Sequence, residues 1–252
     1  AYIAAMKCDW QETLELAEQS ILKNYNGLKA RHLKAVALRK LNRIDEAISF
    51  ILKTLKADPF DFASRFELVQ CFTALDDVTE KDKTIEELQK LMQSRSYTFI
   101  EVALQYADAG LYSGARELLS INAATEVDPI SLYYLAYWEN KTGNKEKTVY
   151  WLNRAFELNP DRVFPNRIED VKVLETAVML NPADYKALYY LGNYFYAKRL
   201  YDQARACWEQ SVAINGNHPT ALRNLAIAYY NKFNKKTEAL QLFEKAFAVD
   251  RS

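Results

Sequence analysis

The feature that most constrains the fold of this chain is a pattern of apolar and small residues that recurs about every 34 residues. It is clearest in residues 185–218, where two stripes of such residues follow one another at helical spacing. The residues of the two stripes are, in order, Leu188, Leu191, Gly192, Phe195, Ala204, Trp208 and Ser211. Because the small residues let two helix backbones approach closely, each repeat is predicted to form a pair of antiparallel helices.

The same frame divides the chain into units of a single repeat domain. We predict six near-complete units, at residues 28–61, 62–95, 96–128, 129–162, 185–218 and 219–252. A partial unit covers residues 1–27, and a half-unit covers residues 163–184. In the half-unit a first helix is missing, because Pro165 in the loop DRVFPNR disfavours a helical conformation at Phe164. Glu139 also departs from the frame, since its position calls for an apolar residue.

With these residues in place, the pattern resembles the tetratricopeptide repeat family. The resemblance implies an all-α fold, a right-handed superhelical solenoid of antiparallel helix pairs that serves as a scaffold for protein–protein interaction. Residues 28–61 and 129–184 also resemble, more loosely, the C-terminal repeat region of large bacterial proteins with an N-terminal β-rich domain of unknown function. This second resemblance implies a bacterial, cytoplasmic protein and a chain that is a fragment of a longer one.

Composition argues against several other classes of protein. The 33 Lys and Arg residues balance the 33 Asp and Glu residues, whereas a nucleic-acid-binding protein normally carries a basic face. Six Gly and six Pro residues are few for the many turns of an all-β domain. No apolar run approaches the roughly 20 residues of a membrane span. We therefore expect neither nucleic acid nor membrane as a partner.

Residues that could carry catalysis or hold a metal are few and scattered. The two histidines, His32 and His218, fall in distant units, and Cys8, Cys71 and Cys207 match no metal or disulfide spacing. No glycine-rich phosphate loop and no nucleophile motif occurs in the sequence. The sequence therefore predicts a protein that is not an enzyme and uses neither a cofactor nor a metal.

The resemblance also implies where a partner binds, because a fixed set of first-helix positions lines the concave face in this family. The candidate groove residues at these positions are Phe66, Tyr97, Tyr133, Tyr137, Tyr189, Asn193, Tyr196, Arg223 and Tyr230. Most are tyrosines, which combine a large apolar area with a polar tip and recur at binding sites. We expect a peptide, or a neighbouring domain of the same protein, to bind there; alternatively, some of these rings pack between adjacent first helices.

A carboxylate clamp for chaperone tails, which some members of the family form, is not expected. Asn193 and Asn224 match that motif, but Tyr189 replaces its lysine. The charge that would hold a terminal carboxylate is therefore missing.

The irregular loop is a second candidate surface. Arg162, Phe164 and Arg167 could contact a separate domain, or the loop could simply cap the gap left by the missing helix. An alternative function also stays open, in which the chain is the auxiliary repeat region of a multidomain enzyme whose catalytic domain lies outside it. A third, RNA binding by a helical-repeat code, is disfavoured by the neutral charge balance.

Overall fold

The computed structural model describes residues 1–24, 27–93, 95–123, 128–161 and 163–250. Within these ranges every regular element is a helix and no strand occurs, and helices make up 80% of the described residues. The predicted all-α fold is therefore confirmed. The chain divides into two compact units, Ala1–Val127 and Asp128–Ser252, which are described separately below.

The first unit contains eight helices among its described residues. They are α1 (Tyr2–Met6), α2 (Trp10–Lys23), α3 (Leu28–Lys40), α4 (Ile44–Ala57), α5 (Phe62–Ala74), α6 (Val78–Met92), α7 (Ser96–Asp108) and α8 (Tyr112–Ala123). Helices α3 and α4, α5 and α6, and α7 and α8 pack as antiparallel pairs, while α2 packs against α3. Each pair begins with the helix that the repeat frame predicts as its first.

The second unit contains seven helices among its described residues. They are α9 (Pro129–Lys141), α10 (Lys145–Glu157), α11 (Ile168–Leu180), α12 (Tyr185–Ala197), α13 (Tyr201–Ile214), α14 (Pro219–Lys232) and α15 (Lys236–Val249). Three antiparallel pairs form, α9 with α10, α12 with α13, and α14 with α15. Helix α11 stands alone between them and packs against α9 and α12, and the described residues just before it, 163–167, form a loop.

The turns inside the helix pairs share one conformation, in which a single residue has a positive φ. These residues are Asn42, Asp76, Gly110, Gly143, Arg199 and Asn234, with φ between 53° and 79°. Glycine adopts this left-handed conformation freely, and Asn and Asp adopt it more readily than other residues. The turn ends the first helix and directs the second helix back along it.

The core of the second unit is built from residues of the repeat frame. Leu188, Leu191, Ala204, Trp208 and Ser211 are all buried. Gly192 contacts Trp208 so closely that a Cβ atom at position 192 would lie 2.3 Å from the indole Nε1 atom. The glycine is therefore required for the indole to reach its place between α12 and α13. Glu139, which departs from the frame, is buried as well.

Candidate functional site

In the first unit, side chains from three successive first helices meet where the sequence predicts a groove. The His32 ring of α3 lies 4.6 Å from the Tyr106 ring of α7, and the Phe66 ring of α5 lies 5.2 Å from it, measured between ring centroids. The Tyr106 hydroxyl donates a hydrogen bond to Oε2 of Glu67 at 2.7 Å, and Nε of Arg39 donates to Oε1 at 2.5 Å. These five residues form a cluster that fills the space between the first helices α3, α5 and α7.

Of the two interpretations left open for this ring, groove or packing, Phe66 packs between first helices and offers no surface to a partner. Its side chain is fully buried against Tyr106, because the first helices of this unit approach closely enough to pack on one another. Tyr97, the other candidate in this unit, is about half exposed at the start of α7. Of the two candidates, Tyr97 alone presents a surface that a partner could reach.

Tyr133 is also part of a core and not of a groove. It is 1% exposed, and its hydroxyl donates to Oδ2 of the buried Asp184 at 2.8 Å. Asp184 starts α12, because its Oδ1 atom accepts hydrogen bonds from the backbone N–H groups of Lys186 and Ala187 at 3.1 and 2.9 Å. Its ring and its hydroxyl both join α9 to α12, so Tyr133 packs between first helices and offers no surface to a partner.

Two further tyrosines remain at the surface of the second unit. Tyr137 is partly buried on α9, and Nζ of Lys141 lies 5.6 Å from the centroid of its ring. Tyr230 is 55% exposed on α14. Neither belongs to the cavity described next.

The second unit contains a cavity of about 550 Å³ between the first helices α12 and α14. Its lining residues come from these two helices, from α13 and from the segment that follows α10. They are Asp161, Phe164, Tyr189, Asn193, Tyr196, Ala197, Trp208, Thr220, Arg223, Asn224 and Ile227. The structure thus brings together four of the candidate groove residues, Tyr189, Asn193, Tyr196 and Arg223, with the loop residue Phe164.

The polar part of the wall is a pair of side-chain amides. Nδ2 of Asn224 donates a hydrogen bond to Oδ1 of Asn193 at 3.0 Å, which joins α14 to α12. Nδ2 of Asn193 is buried and has no hydrogen-bond partner among the described residues. Burial raises the pKa of the Tyr189 hydroxyl. The two amides therefore supply the polar groups of a wall that is otherwise mostly apolar.

The apolar part of the wall depends on Trp208. Its indole Nε1 donates to the carbonyl oxygen of Tyr189 at 3.2 Å, and its ring centroid lies 5.4 Å from that of Tyr196. The repeat pattern predicts Trp208 as a packing residue and does not indicate that it also borders a cavity. A large aromatic residue opposite Gly192 is the sequence signal that could have indicated this second role, since the absence of a Cβ atom lets the indole lie directly against α12.

The rim of the cavity carries one aromatic residue and two opposite charges. Phe164 is 74% exposed, and Arg223 and Asp161 are exposed as well. Within the described part of the chain, neither Arg223 nor Asp161 makes an ion pair.

Of the other two loop candidates, the described one, Arg167, is not among the residues that line the cavity. Arg162 lies outside the described residues. Arg167 lies at the N-terminal end of α11, where its backbone N–H donates to Oδ2 of Asp170 at 3.0 Å. Sequence reasoning also missed Asp161, Thr220 and Ala197, which border the cavity.

Two segments of the chain match known family models. Residues 185–252 match a model described as tetratricopeptide repeat, and residues 28–61 match a second model of the same description. The first match includes both helical walls of the cavity, α12 and α14. The matches support the tetratricopeptide repeat family. Repeats of this kind act as scaffolds for protein–protein interaction.

Solved structures of other repeat proteins are similar at low identity. MamA is 19% identical, with 86% of this chain and 94% of that chain covered and a TM-score of 0.34. YrrB, described as a TPR protein with an unusual peptide-binding site, is 15% identical, with 80% and 93% covered and a TM-score of 0.32. The pilF protein of Pseudomonas aeruginosa is 12% identical, with 89% and 92% covered and a TM-score of 0.34. At such TM-scores these likenesses carry no argument about function. A comparison with curated proteins gave no match.

None of the helices in the described ranges combines the length and the apolar character needed to cross a membrane. In the same ranges, no three His, Cys, Asp or Glu side chains come together in a way that could hold a metal ion.

Proposed function

We propose that this chain is a protein-interaction scaffold that binds an extended peptide segment in the cavity between α12 and α14. The observation that carries the proposal is the cavity itself, which gathers four candidate residues from two neighbouring first helices. Its volume of about 550 Å³ falls within the range of ligand pockets, roughly 300–1,000 Å³. The peptide belongs to another protein or to a neighbouring domain of the same protein.

A peptide suits this lining better than other ligands do. Aromatic rings and an isoleucine supply apolar contact area, while Asn193 and Asn224 supply the polar amide groups of the wall. An extended peptide presents backbone carbonyls and apolar side chains in alternation, so it matches both features. Nucleic acid would need several cations to neutralise its phosphates, whereas Arg223 is accompanied by Asp161.

Selection from a phage-displayed library of random linear peptides tests this proposal. We expect the wild-type protein to enrich a consensus, and a synthetic peptide of that sequence to bind in a calorimetric titration. Asn193→Ala and Tyr196→Ala should each weaken this binding about tenfold or more, as residues central to an interface do.

Tyr97→Ala is the matched control, because Tyr97 is an exposed tyrosine of the first unit. Its affinity for the peptide should equal that of the wild type. Absence of any enriched peptide, or equal affinity of all three variants and the wild type, would overturn the proposal.

A further inference from the structure

The loop at residues 163–167 is fastened in place by one buried carboxylate. Oδ2 of Asp170 accepts hydrogen bonds from the backbone N–H groups of Asn166 and Arg167, at 2.8 and 3.0 Å. Its Oδ1 atom accepts a hydrogen bond from the Tyr134 hydroxyl of α9 at 2.7 Å. Asp170 is 1% exposed. The loop that replaces a first helix is thus tied to α11 and to α9 at once.

Within this loop, the side chains alternate between the core and the cavity rim. Val163 and Pro165 are buried, whereas Phe164 between them is 74% exposed and lines the cavity. A large aromatic side chain gains free energy when it leaves water, so an exposed one held by buried neighbours is suited to contact a ligand. Because the loop is already fixed, little conformational entropy is lost when the ligand binds.

The charges near Phe164 indicate what kind of ligand fits. Arg223 and Asp161 both line the cavity, and within the described ranges neither has an ion-pair partner. Their opposite charges balance, so a ligand with a strong net charge gains little there. A peptide with a free C-terminal carboxylate would be attracted by Arg223 and repelled by Asp161. The side-chain amides of Asn193 and Asn224 line the same cavity, and amides hydrogen-bond well to the peptide bonds that any internal peptide segment supplies.

From these observations, we propose that Phe164 is a specificity-determining residue of the cavity. It selects an internal, uncharged peptide segment that places a large apolar side chain against the phenyl ring. This inference rests on the proposed function, because it assigns the ligand class of that same cavity. The irregular loop is then a functional element of the second unit and not a mere filler for the missing helix.

The peptide selected on the wild-type protein is the probe for this inference. Its consensus should contain a fixed apolar position, and an amidated C-terminus should leave its affinity unchanged. Phe164→Ala should weaken the peptide about tenfold, and Phe164→Leu should retain most of the affinity because leucine keeps an apolar contact. Replacing the apolar residue of the peptide by alanine should weaken binding to the wild type much more than to Phe164→Ala.

Phe60→Ala is the matched control, since Phe60 is a 64% exposed phenylalanine of the first unit. It should bind the peptide as the wild type does. Thermal unfolding of Phe164→Ala should match the wild type, because the side chain is mostly exposed.

Three outcomes would overturn the inference. If Phe164→Ala keeps the same consensus and affinity while Asn193→Ala weakens binding, Phe164 has no role in selection although the proposed function stands. A consensus with a charged residue in place of the apolar one, or a need for a free C-terminus, contradicts the ligand class. If Asn193→Ala and Tyr196→Ala both bind normally, the proposed function fails and the inference fails with it.

Discussion

At the scale of single residues, burial of the candidate groove residues depends on the neighbouring repeat. Phe66, Tyr133 and Tyr189 are each the fifth residue of their predicted unit, and they are 0%, 1% and 4% exposed. The repeat frame predicts that this position faces inward, but the frame contains no information on how closely successive first helices pack. The sequence therefore identified inward-facing residues and could not separate those that fill a core from those that border a cavity.

The buried carboxylate of Glu67 gives a prediction at this scale. Its side chain is 0% exposed, and that of its partner Arg39 is 12% exposed. Glu67→Ala leaves a largely buried guanidinium unpaired and removes the acceptor of the Tyr106 hydroxyl. We expect the free energy of unfolding in urea to fall by about 3–5 kcal/mol.

Glu46→Ala is the control for Glu67→Ala, because Glu46 forms an exposed ion pair with Arg43. Because water and salt screen an exposed pair, Glu46→Ala should lower the free energy of unfolding far less than Glu67→Ala. Equal effects of the two substitutions would show that Glu67 does not hold together the side-chain cluster between α3, α5 and α7.

A second residue-scale prediction concerns pH. His218 is 5% exposed between the rings of Tyr185 and Tyr189, and neither of its ring nitrogens has a hydrogen-bond partner among the described residues. Burial lowers the pKa of its imidazole from 6.5 to about 4, Asp161 raises it and Lys186 lowers it further. Between these pH values the unfolded chain binds a proton that the folded protein does not. Stability should therefore decrease as the pH falls through this window.

His218→Phe separates this effect from the rest of the titration. The variant keeps an aromatic ring against Tyr185 and Tyr189, while His32 titrates equally in both proteins. Urea unfolding of the wild type and the variant should show a smaller loss of stability in the variant between pH 6.5 and about 4. Identical pH profiles would mean that His218 is accessible to protons in the folded protein.

At the scale of elements, the irregular segment shows how far local sequence signals reach. Pro165 predicts a loop in place of a first helix, because a proline restricts the backbone of the residue just before it. Such a local effect can be read from the sequence alone. The contact that fixes the loop joins Asp170 to Tyr134, 36 residues earlier in the chain. A single sequence contains no signal for such a distant pairing, so the position of Phe164 at the cavity rim could not be predicted.

Removal of the Asp170 carboxylate tests this element. Asp170→Ala deprives two backbone N–H groups and the Tyr134 hydroxyl of their acceptor, and we expect a loss of at least about 2 kcal/mol in stability. The amides of Asn166 and Arg167 should exchange with deuterium faster than in the wild type. The selected peptide should also bind more weakly, because the loop is no longer fixed.

Glu169→Ala is the neighbouring control, since Glu169 is exposed in the same first turn of α11. It should change neither the exchange of the loop amides nor the affinity. Unaltered exchange in Asp170→Ala would show that other contacts fix the loop.

At the scale of the whole molecule, the same repeat frame gives two units with different inner faces. The all-α fold and its helix pairs follow from the spacing of small and apolar residues, and the structure confirms them. In the first unit, His32, Phe66 and Tyr106 fill the space between first helices. In the second unit, α12 and α14 leave a cavity between them. The candidate groove residues of the two units therefore have different surroundings, although they occupy the same kind of position in the repeat frame.

Hydrogen-exchange mass spectrometry of the whole chain, with and without the selected peptide, tests this account most directly. Bound peptide should slow exchange in α12, in α14 and in the loop at 163–167, because these segments border the cavity. It should leave the exchange of α3, α5 and α7 unchanged, since side chains already fill the space between these helices. Slower exchange in α3, α5 or α7 without any change in α12 and α14 would contradict the assignment of binding to the second unit.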